Sequence, residues 1–216
     1  MTLVQLHKKG EPIERHVEKD AEHEGLSPMA PPDAYSPPGA GQSIPYEEMH
    51  AFLKGFRDDH TAVRVKVEAF EEALTKLKET GITREVSAAF QTFFRALDED
   101  VFPHNRREEK ELFPLLGKRL IENGECSKGS TTTTACDVLT DDHIRLVQLA
   151  AISLNFFALA SRLPDERSKL LVFDVAIEQA KALVELLQLH MFREDNVVFS
   201  LAHKYIKSEE LDALGS

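Results

Sequence analysis

Four long stretches of the chain carry apolar residues at helical spacing, and this pattern constrains the fold more than any other feature. Apolar positions recur at steps of three, four and seven, so they fall on one face of an α-helix. The four stripes run over residues 49–77, 86–116, 139–157 and 170–201. No window shows the sustained alternation that is typical of a half-buried strand. The sequence therefore predicts an all-α fold.

Glycine and proline divide these stripes into separate helices. Gly81 ends the first stripe. Pro103 lies inside the second and predicts a bend or break near residues 100–103, and Pro114 predicts another bend. Small polar residues over 123–137 predict a loop, and residues 207–214 a short terminal helix. Modest connections of this kind predict an antiparallel up-down-up-down four-helix bundle.

The first 45 residues have a different composition from the rest of the chain. They hold seven of the ten prolines, and no helical or strand period is present. Because proline fixes φ and removes a backbone donor, we expect an extended Pro-rich N-terminal tail. The predicted domains are thus a tail or linker over residues 1–45 and a helical bundle over residues 46–216.

Charge and composition exclude several classes of protein. The 216 residues have a formal net charge of −11, which argues against nucleic-acid or anionic-membrane partners. No uninterrupted apolar run reaches the ~18–20 residues of a membrane span, and the first residues lack a signal-peptide core. We therefore expect a cytoplasmic protein. Cys126 and Cys136 could close a disulfide, but in that compartment free thiols are favoured.

Each apolar stripe contains one histidine on its core-facing side. These residues are His60, His104, His143 and His190. A buried polar side chain needs a partner, so a single histidine there would be read as an ordinary hydrogen-bonded core residue. Four of them, one in each predicted helix, instead indicate a shared site.

Two of these histidines are followed by a glutamate four residues later. Glu108 follows His104 and Glu194 follows His190, which puts each pair on one helix face, one turn apart. Two unpaired carboxylates in a core would cost several kcal/mol each. Imidazole with carboxylate suits Fe, Mn or Zn, and six ligands are too many for one tetrahedral zinc. The set therefore predicts two metal ions bridged by the glutamates.

The sequence also contains aspartates and histidines outside this set of six, and their roles are less clearly defined by spacing. The pairs Asp58–Asp59 and Asp141–Asp142 precede two of the histidines. They are either solvated acids at helix starts or acceptors for an imidazole N–H. A ferritin-like site needs Glu-x-x-His on two helices, and only Glu47 with His50 has that spacing. The histidines without a motif are His7, His16, His23, His50 and His203.

Four segments around these residues resemble the hemerythrin-like (HHE cation-binding) family. They are FRDDHTAV, FPHNRREEKELFP, LTDDHIRL and LHMFREDNVVFSLA, and the resemblance covers roughly residues 45–207. It implies a four-helix bundle that holds two non-haem Fe ions in an oxo- or hydroxo-bridged di-iron centre. It further implies terminal ligation by the four histidines and bridging by Glu108 and Glu194.

The sequence departs from the oxygen-carrying members of that family at two positions. Val147 stands where they place a further histidine, four residues after His143. They also use an aspartate five residues after the last histidine, where this chain has Asp195. Glu194 lies better on the His190 face and repeats the Glu108 spacing, so Asp195 remains an alternative ligand or an outer partner.

A missing histidine leaves more open coordination positions, which favours chemistry over reversible storage. The pattern resembles the stress-defence, iron–sulfur-repair and sensing members of the family. The resemblance implies a protein that binds or reacts with O2, peroxide or NO. One alternative is an iron- or oxygen-sensing module without turnover. Another is an oxidase or oxygenase whose organic substrate lies beside apolar stripes containing Phe52, Phe56, Phe93, Phe94 and Phe157, although ordinary core packing explains these rings more simply. The sequence identifies no catalytic residue and no protein partner.

Overall fold

The computed structural model describes residues 43–127 and 132–215, and within these ranges the chain is helical with no strand. The described helices belong to one unit, Ala40–Ser216. Most of the predicted tail, residues 1–42, lies outside the described residues. Of its last residues, Ile44 is buried and donates its backbone N–H to Ser200 Oγ at 3.0 Å.

Four long helical elements and one short helix follow a 3₁₀ turn at Tyr46–Glu48. Helix α1 spans Ala51–Thr80 and α3 spans Ala135–Ala160. Helix α2 consists of Arg84–Ala96, Phe102–Arg107 and Phe113–Glu122, joined by π-helical turns at Leu97–Val101 and Glu108–Leu112. Helix α4 consists of Glu166–Arg193, a π-helical turn at Glu194–Val198 and Phe199–Tyr205. Helix α5 is Ser208–Leu214 and confirms the predicted terminal helix.

Local signals in the sequence account for where these helices begin and end. Thr83 Oγ1 accepts the N–H of Val86 at the start of α2, and Asp165 accepts that of Ser168 at the start of α4. Gly81 ends α1 with φ of 74°, a left-handed conformation that costs a residue with a Cβ about 1–2 kcal/mol. The glycine predicted to end the first stripe is therefore confirmed.

The prolines widen α2 without breaking it. Of the predicted bend or break near residues 100–103, the break is wrong, because the chain stays helical on both sides of Pro103, and the bend stays a prediction. A π-helical turn ends immediately before it, where the Phe102 N–H bonds to Leu97 O, five residues back. The Phe113 N–H bonds to Glu108 O in the same way just before Pro114. One extra residue per turn gives each proline ring room.

Two hydrophobic clusters form the core, and the predicted site residues lie between them along each helix. One cluster contains Val63, Val101, Leu146 and Leu187, and the other contains Phe56, Leu112, Leu139 and Val198. Each helix therefore passes from one apolar cluster to the other through one of the four histidines. Helices α1 and α2 pack together, as do α3 and α4, and α1 also contacts α4.

Helix α3 is the one described helix that is long and apolar enough to cross a membrane by length and composition. Its most apolar window is 39% buried in the structure. The core helix of a soluble protein passes the same test, so this is weak evidence for a membrane span. The same helix carries the buried polar residues Asp142 and His143.

Candidate metal centre

Six polar side chains from the four long helices meet between the two apolar clusters. They are His60 of α1, His104 and Glu108 of α2, His143 of α3, and His190 and Glu194 of α4. All six are buried, and both glutamates are 0% exposed. The structure thus brings together every residue that the sequence proposed as a metal ligand.

The histidines form two pairs with their Nε2 atoms facing each other. His60 Nε2 lies 3.0 Å from His104 Nε2, which joins α1 to α2. His143 Nε2 lies 3.2 Å from His190 Nε2, which joins α3 to α4. All four imidazoles therefore present the same ring nitrogen to the centre.

Each glutamate spans the two histidine pairs with its two oxygens. Glu194 Oε2 is 3.2 Å from His60 Nε2, and its Oε1 is 3.2 Å from His190 Nε2. Glu108 Oε1 is 3.6 Å from His104 Nε2, and its Oε2 is 3.6 Å from His143 Nε2. None of the four carboxylate oxygens has a hydrogen-bond partner among the described residues.

Two of the imidazoles make a hydrogen bond through Nδ1 with a carboxylate on the outside of the cluster. His60 Nδ1 is 2.9 Å from Asp195 Oδ1, and Arg64 also binds Asp195. His143 Nδ1 is 2.7 Å from Glu109 Oε1. Each of these acids directly follows one of the two central glutamates. Asp195, kept open as an alternative ligand, therefore contacts the outer side of His60.

The other two imidazoles face an aspartate that also binds an arginine. His104 Nδ1 lies 3.1 Å from Asp59 Oδ2, and Arg107 donates to the same oxygen at 3.3 Å. His190 Nδ1 lies 3.9 Å from Asp142 Oδ2, to which Arg193 donates at 2.6 Å. Both aspartates lie well inside their helices, so the interpretation of these acids as solvated helix-start residues is wrong for them.

The contacts of one half of the cluster repeat in the other. Residues 104–109 and 190–195 share the pattern His-x-x-Arg-Glu-acid, and in each the glutamate begins a π-helical turn. The halves differ in exposure. The side chains of Asp59 and Arg107 are 42% and 45% exposed, whereas those of Asp142 and Arg193 are 0% and 7% exposed. The Asp59–Arg107 pair is therefore nearer to solvent than the Asp142–Arg193 pair.

These outer contacts decide which imidazole nitrogens face inward as acceptors. An ionised carboxylate only accepts hydrogen bonds, so the Nδ1 of His60 and of His104 carries the proton. Their Nε2 atoms then direct lone pairs at each other across 3.0 Å. Facing lone pairs repel unless a proton or a metal cation lies between them, and carboxylate–histidine–metal arrangements use this tautomer.

Burial and neighbouring charges separate the pKa values of the two glutamates. Burial raises the pKa of Glu194 well above its usual value, and the charge of Glu108 adds to this. Burial also raises the pKa of Glu108, but the imidazoles of His104 and His143 outweigh it, so the pKa of Glu108 is lowered. Two buried carboxylates this close favour a shared proton or a cation.

The histidine pKa values differ for the same physical reasons. Burial lowers the pKa of His190 to about 4, so its imidazole is neutral at pH 7. Burial also lowers the pKa of His104, but the carboxylates of Asp59 and Glu108 outweigh it and raise that pKa to about 9.

The six residues divide into two overlapping groups that can each hold a metal ion. One group is His60, His104, Glu108 and Glu194, and the other is Glu108, His143, His190 and Glu194. Within each group the ligand atoms lie within 4.8 Å of one another, and both groups share the two glutamates. A buried His/Glu cluster that can bind metal is thus present.

Two cavities lie beside the cluster. The inner one is about 10 Å³, room for about one water molecule, and its lining includes His60, His104 and His190. The outer one is about 210 Å³ and is lined by residues that include Asp59, Arg107 and His104. Because Asp59 and His104 line both cavities, the two cavities lie next to each other on this side of the cluster.

The phenylalanines considered as a substrate pocket pack mostly in the core. Phe93 stacks on Phe70 with ring centroids 3.9 Å apart, and Phe157 packs edge-on against Phe90. Phe56 meets the ring of His104 edge-on at 5.2 Å. Core packing therefore accounts for Phe56, Phe93 and Phe157. Cys126 and Cys136 are both free thiols, as favoured by the sequence.

Several residues of the site were not identified from the sequence. Glu109, Arg107 and Arg193 contact the cluster from outside, and Asn105 is buried beside it. The repeated Arg-Glu-acid triplet was the available signal for the first three. His50 instead accepts the Phe52 N–H at the start of α1, and His203 is exposed, so both lie outside the cluster.

Comparison of the chain with models of protein families, with curated proteins and with solved structures finds no match.

Proposed function

We propose that this chain is a hemerythrin-like protein whose four long helices form an antiparallel four-helix bundle around two non-haem iron ions. The helices of each half are joined by short connections, residues 81–83 between α1 and α2 and residues 161–165 between α3 and α4. Connections of this length make neighbouring helices antiparallel. The resemblance of the four histidine-containing segments to that family supports the same arrangement.

The observation that carries the proposal is the pair of ligand groups that share Glu108 and Glu194. With metal–nitrogen bonds of about 2.1 Å, two ligand atoms at 90° to 109° from the metal lie about 3.0–3.4 Å apart. The Nε2–Nε2 and Nε2–carboxylate separations given above run from 3.0 to 3.6 Å, and all ligand atoms of each group lie within 4.8 Å of one another. The carboxylate oxygens without partners and the facing imidazole lone pairs also fit a cation between them.

In this proposal each residue has a defined part. The four histidines bind through Nε2 as terminal ligands, and the two glutamates bridge. Asp195, Glu109 and Asp59 hold the Nδ1 protons of His60, His143 and His104, which keeps the inner nitrogens free for metal. Open coordination positions on the iron pair would supply binding and redox chemistry toward O2, peroxide or NO.

The cavities favour a small ligand over an organic substrate. The inner cavity holds about one water molecule, too little for the ring or chain of an organic substrate. The outer cavity provides the route from the surface past Asp59 and Arg107. We therefore rank a protein that binds or reacts with O2, peroxide or NO above an oxygenase, and regard an iron- or oxygen-sensing module as the alternative without turnover.

Metal content per chain tests the proposal. Full-length protein is loaded with Fe²⁺ without oxygen, desalted, analysed for metal, and then exposed to air or NO while its absorption is recorded. We expect about two irons per chain and a new absorption band on oxidation. The substitutions His104→Ala and Glu194→Ala should each lose most of the metal.

Two histidines outside the cluster provide matched controls. His50→Ala and His203→Ala should keep the metal content of the unmodified chain, since neither side chain reaches the cluster. Unmodified protein that retains no iron and forms no band would contradict the proposal. So would an unchanged iron content in His104→Ala. Parallel loading with Mn²⁺ and Zn²⁺ tests the choice of iron.

A further inference from the structure

Asn105 is a buried amide with no partner in the described part of the chain. It is 5% exposed, and neither Oδ1 nor Nδ2 makes a hydrogen bond. Leaving a buried polar group unpaired lowers the stability of the fold, whereas an apolar residue of the same shape avoids that cost. Such a residue needs an explanation beyond packing.

The side chain of Asn105 lines the inner cavity beside the cluster. Three of the histidines line the same cavity: His60, His104 and His190. They come from both ligand groups, so this space borders both proposed metal positions. The cavity therefore lies where a small ligand of the metal pair would sit.

Apolar side chains form much of the remaining wall of this cavity. These are Val63, Val101, Leu187 and Met191. They cannot orient a ligand by hydrogen bonding, and the carboxylate of Asp59 is an acceptor. The amide of Asn105, by contrast, offers two N–H donors on Nδ2. The cavity thus combines an apolar wall with a buried donor.

We propose that Asn105 is a positioning residue whose Nδ2 donates a hydrogen bond to the end atom of a two- or three-atom ligand of the metal pair, since the inner cavity has room for about one such atom. This inference rests on the proposed metal pair. The ligand class is one with a hydrogen-bond-accepting outer atom, such as azide, nitric oxide or hydrogen peroxide. Asn105 then favours polar small ligands in a site whose remaining walls are mostly apolar.

Azide binding to the iron-loaded, oxidised protein tests the inference. The variant Asn105→Leu keeps the approximate shape of the side chain and removes both amide groups. We expect it to retain the metal content of the unmodified chain and to bind azide with a Kd about 10-fold higher or more, followed by absorption. Met191→Leu, an apolar exchange in the same wall, should stay within about 2-fold.

A second measurement uses the metal-free protein and separates positioning from packing. Since Asn105→Leu removes an unpaired buried amide, metal-free Asn105→Leu should unfold at the same temperature as the unmodified chain or higher. A residue that only supports the fold would instead lower that temperature.

The remaining outcomes separate a failure of the role proposed for Asn105 from a failure of the proposed metal pair. Equal azide affinity in Asn105→Leu at full metal content overturns the role of Asn105 and leaves the metal pair intact. Loss of metal from Asn105→Leu, with metal retained in Met191→Leu, also overturns the role of Asn105 in ligand binding. That result would mean that Asn105 supports the metal cluster instead. An unmodified chain that holds no metal removes the proposed function, and this inference with it.

Discussion

At the scale of single residues, outer carboxylates orient three of the four imidazoles in the cluster. Carboxylates of Asp195 and Glu109 lie within 2.9 Å of an Nδ1 atom, and that of Asp59 lies 3.1 Å from one. A neutral imidazole that donates through Nδ1 presents Nε2 as an acceptor. The protein's own side chains thus set the direction of these three Nε2 atoms.

The two arginine–aspartate pairs beside the cluster should differ in their contribution to stability. Arg193→Met removes a donor from the fully buried Asp142 and should lower the free energy of unfolding by about 3–5 kcal/mol. Arg107→Met breaks a solvent-exposed pair and a contact over the Phe56 ring, and should cost at most about 2 kcal/mol. Urea unfolding of the metal-free proteins measures both, and equal losses would contradict the difference in burial.

Sequence reasoning at this scale succeeded for residues that repeat with helical spacing and missed those whose partners lie on another helix. His104 and Glu108 share a face by local geometry alone. By contrast, Asp59 contacts His104 on α2, not the adjacent His60, so its partner depends on how α1 packs against α2. Glu109 was missed because its contact, His143, lies on α3.

At the scale of helices, the π-helical turns aim the two central glutamates. Glu108 and Glu194 each begin such a turn, and each turn ends at a phenylalanine, Phe113 or Phe199. The extra residue changes the register of the helix that follows, and π-helical turns are frequent at functional sites. Prolines alone do not explain them, since Phe199 is followed by Ser200.

Two glycines offer opposite tests of helix geometry. Gly81 ends α1 at positive φ, so Gly81→Ala should lower the free energy of unfolding by about 1–2 kcal/mol. Gly117 lies within Phe113–Glu122, and a Cβ there would meet only Thr134 Oγ1 at 4.0 Å. Gly117→Ala should therefore raise the free energy of unfolding by about 0.5–1 kcal/mol.

Thermal unfolding measures both substitutions, with expected changes in Tm of roughly 2–4 °C per kcal/mol for a domain of this size. The two variants serve as controls for each other, because both replace glycine by alanine in the same protein. Shifts of the same sign would contradict the backbone conformations described for Gly81 and Gly117.

At the scale of the whole molecule, a polar layer separates two apolar clusters, and without a cation this layer opposes folding. Glu108 and Glu194 are both fully buried and near each other. Burying like charges is costly, and a bound cation removes that cost while adding ligand-linked stability. Metal binding should therefore be coupled to the stability of the entire helical unit.

Replacing both glutamates tests this coupling. Loading the unmodified chain at about 100 times the Kd for iron should add ~2.7 kcal/mol to the free energy of unfolding. The double variant Glu108→Gln/Glu194→Gln should be at least as stable as the metal-free unmodified chain, because neutral amides replace buried carboxylates. Its Tm should not rise with iron. Calorimetry with and without iron measures the Tm of both proteins. An equal rise in Tm in the two proteins would contradict the coupling between metal binding and stability.

The sequence by itself determined the helical character, the four stripes, the end of the first stripe at Gly81, and the six residues that meet in the core. These follow from local rules: helical periodicity, capping and the spacing of side chains one turn apart. The role of the six as metal ligands stays a prediction.

Only the tertiary structure decided which helix supplies the outer partner of each histidine, and which of the two arginine–aspartate pairs is nearer to solvent. It also decided that Asp195 contacts the outer side of His60, and that an unpaired amide, Asn105, borders the inner cavity. The contacts between histidines and outer carboxylates join residues more than 30 positions apart in the chain. The physical reason is that the packing of one helix against another determines these contacts. The apolar period of a single helix does not specify which residues of another helix it will meet.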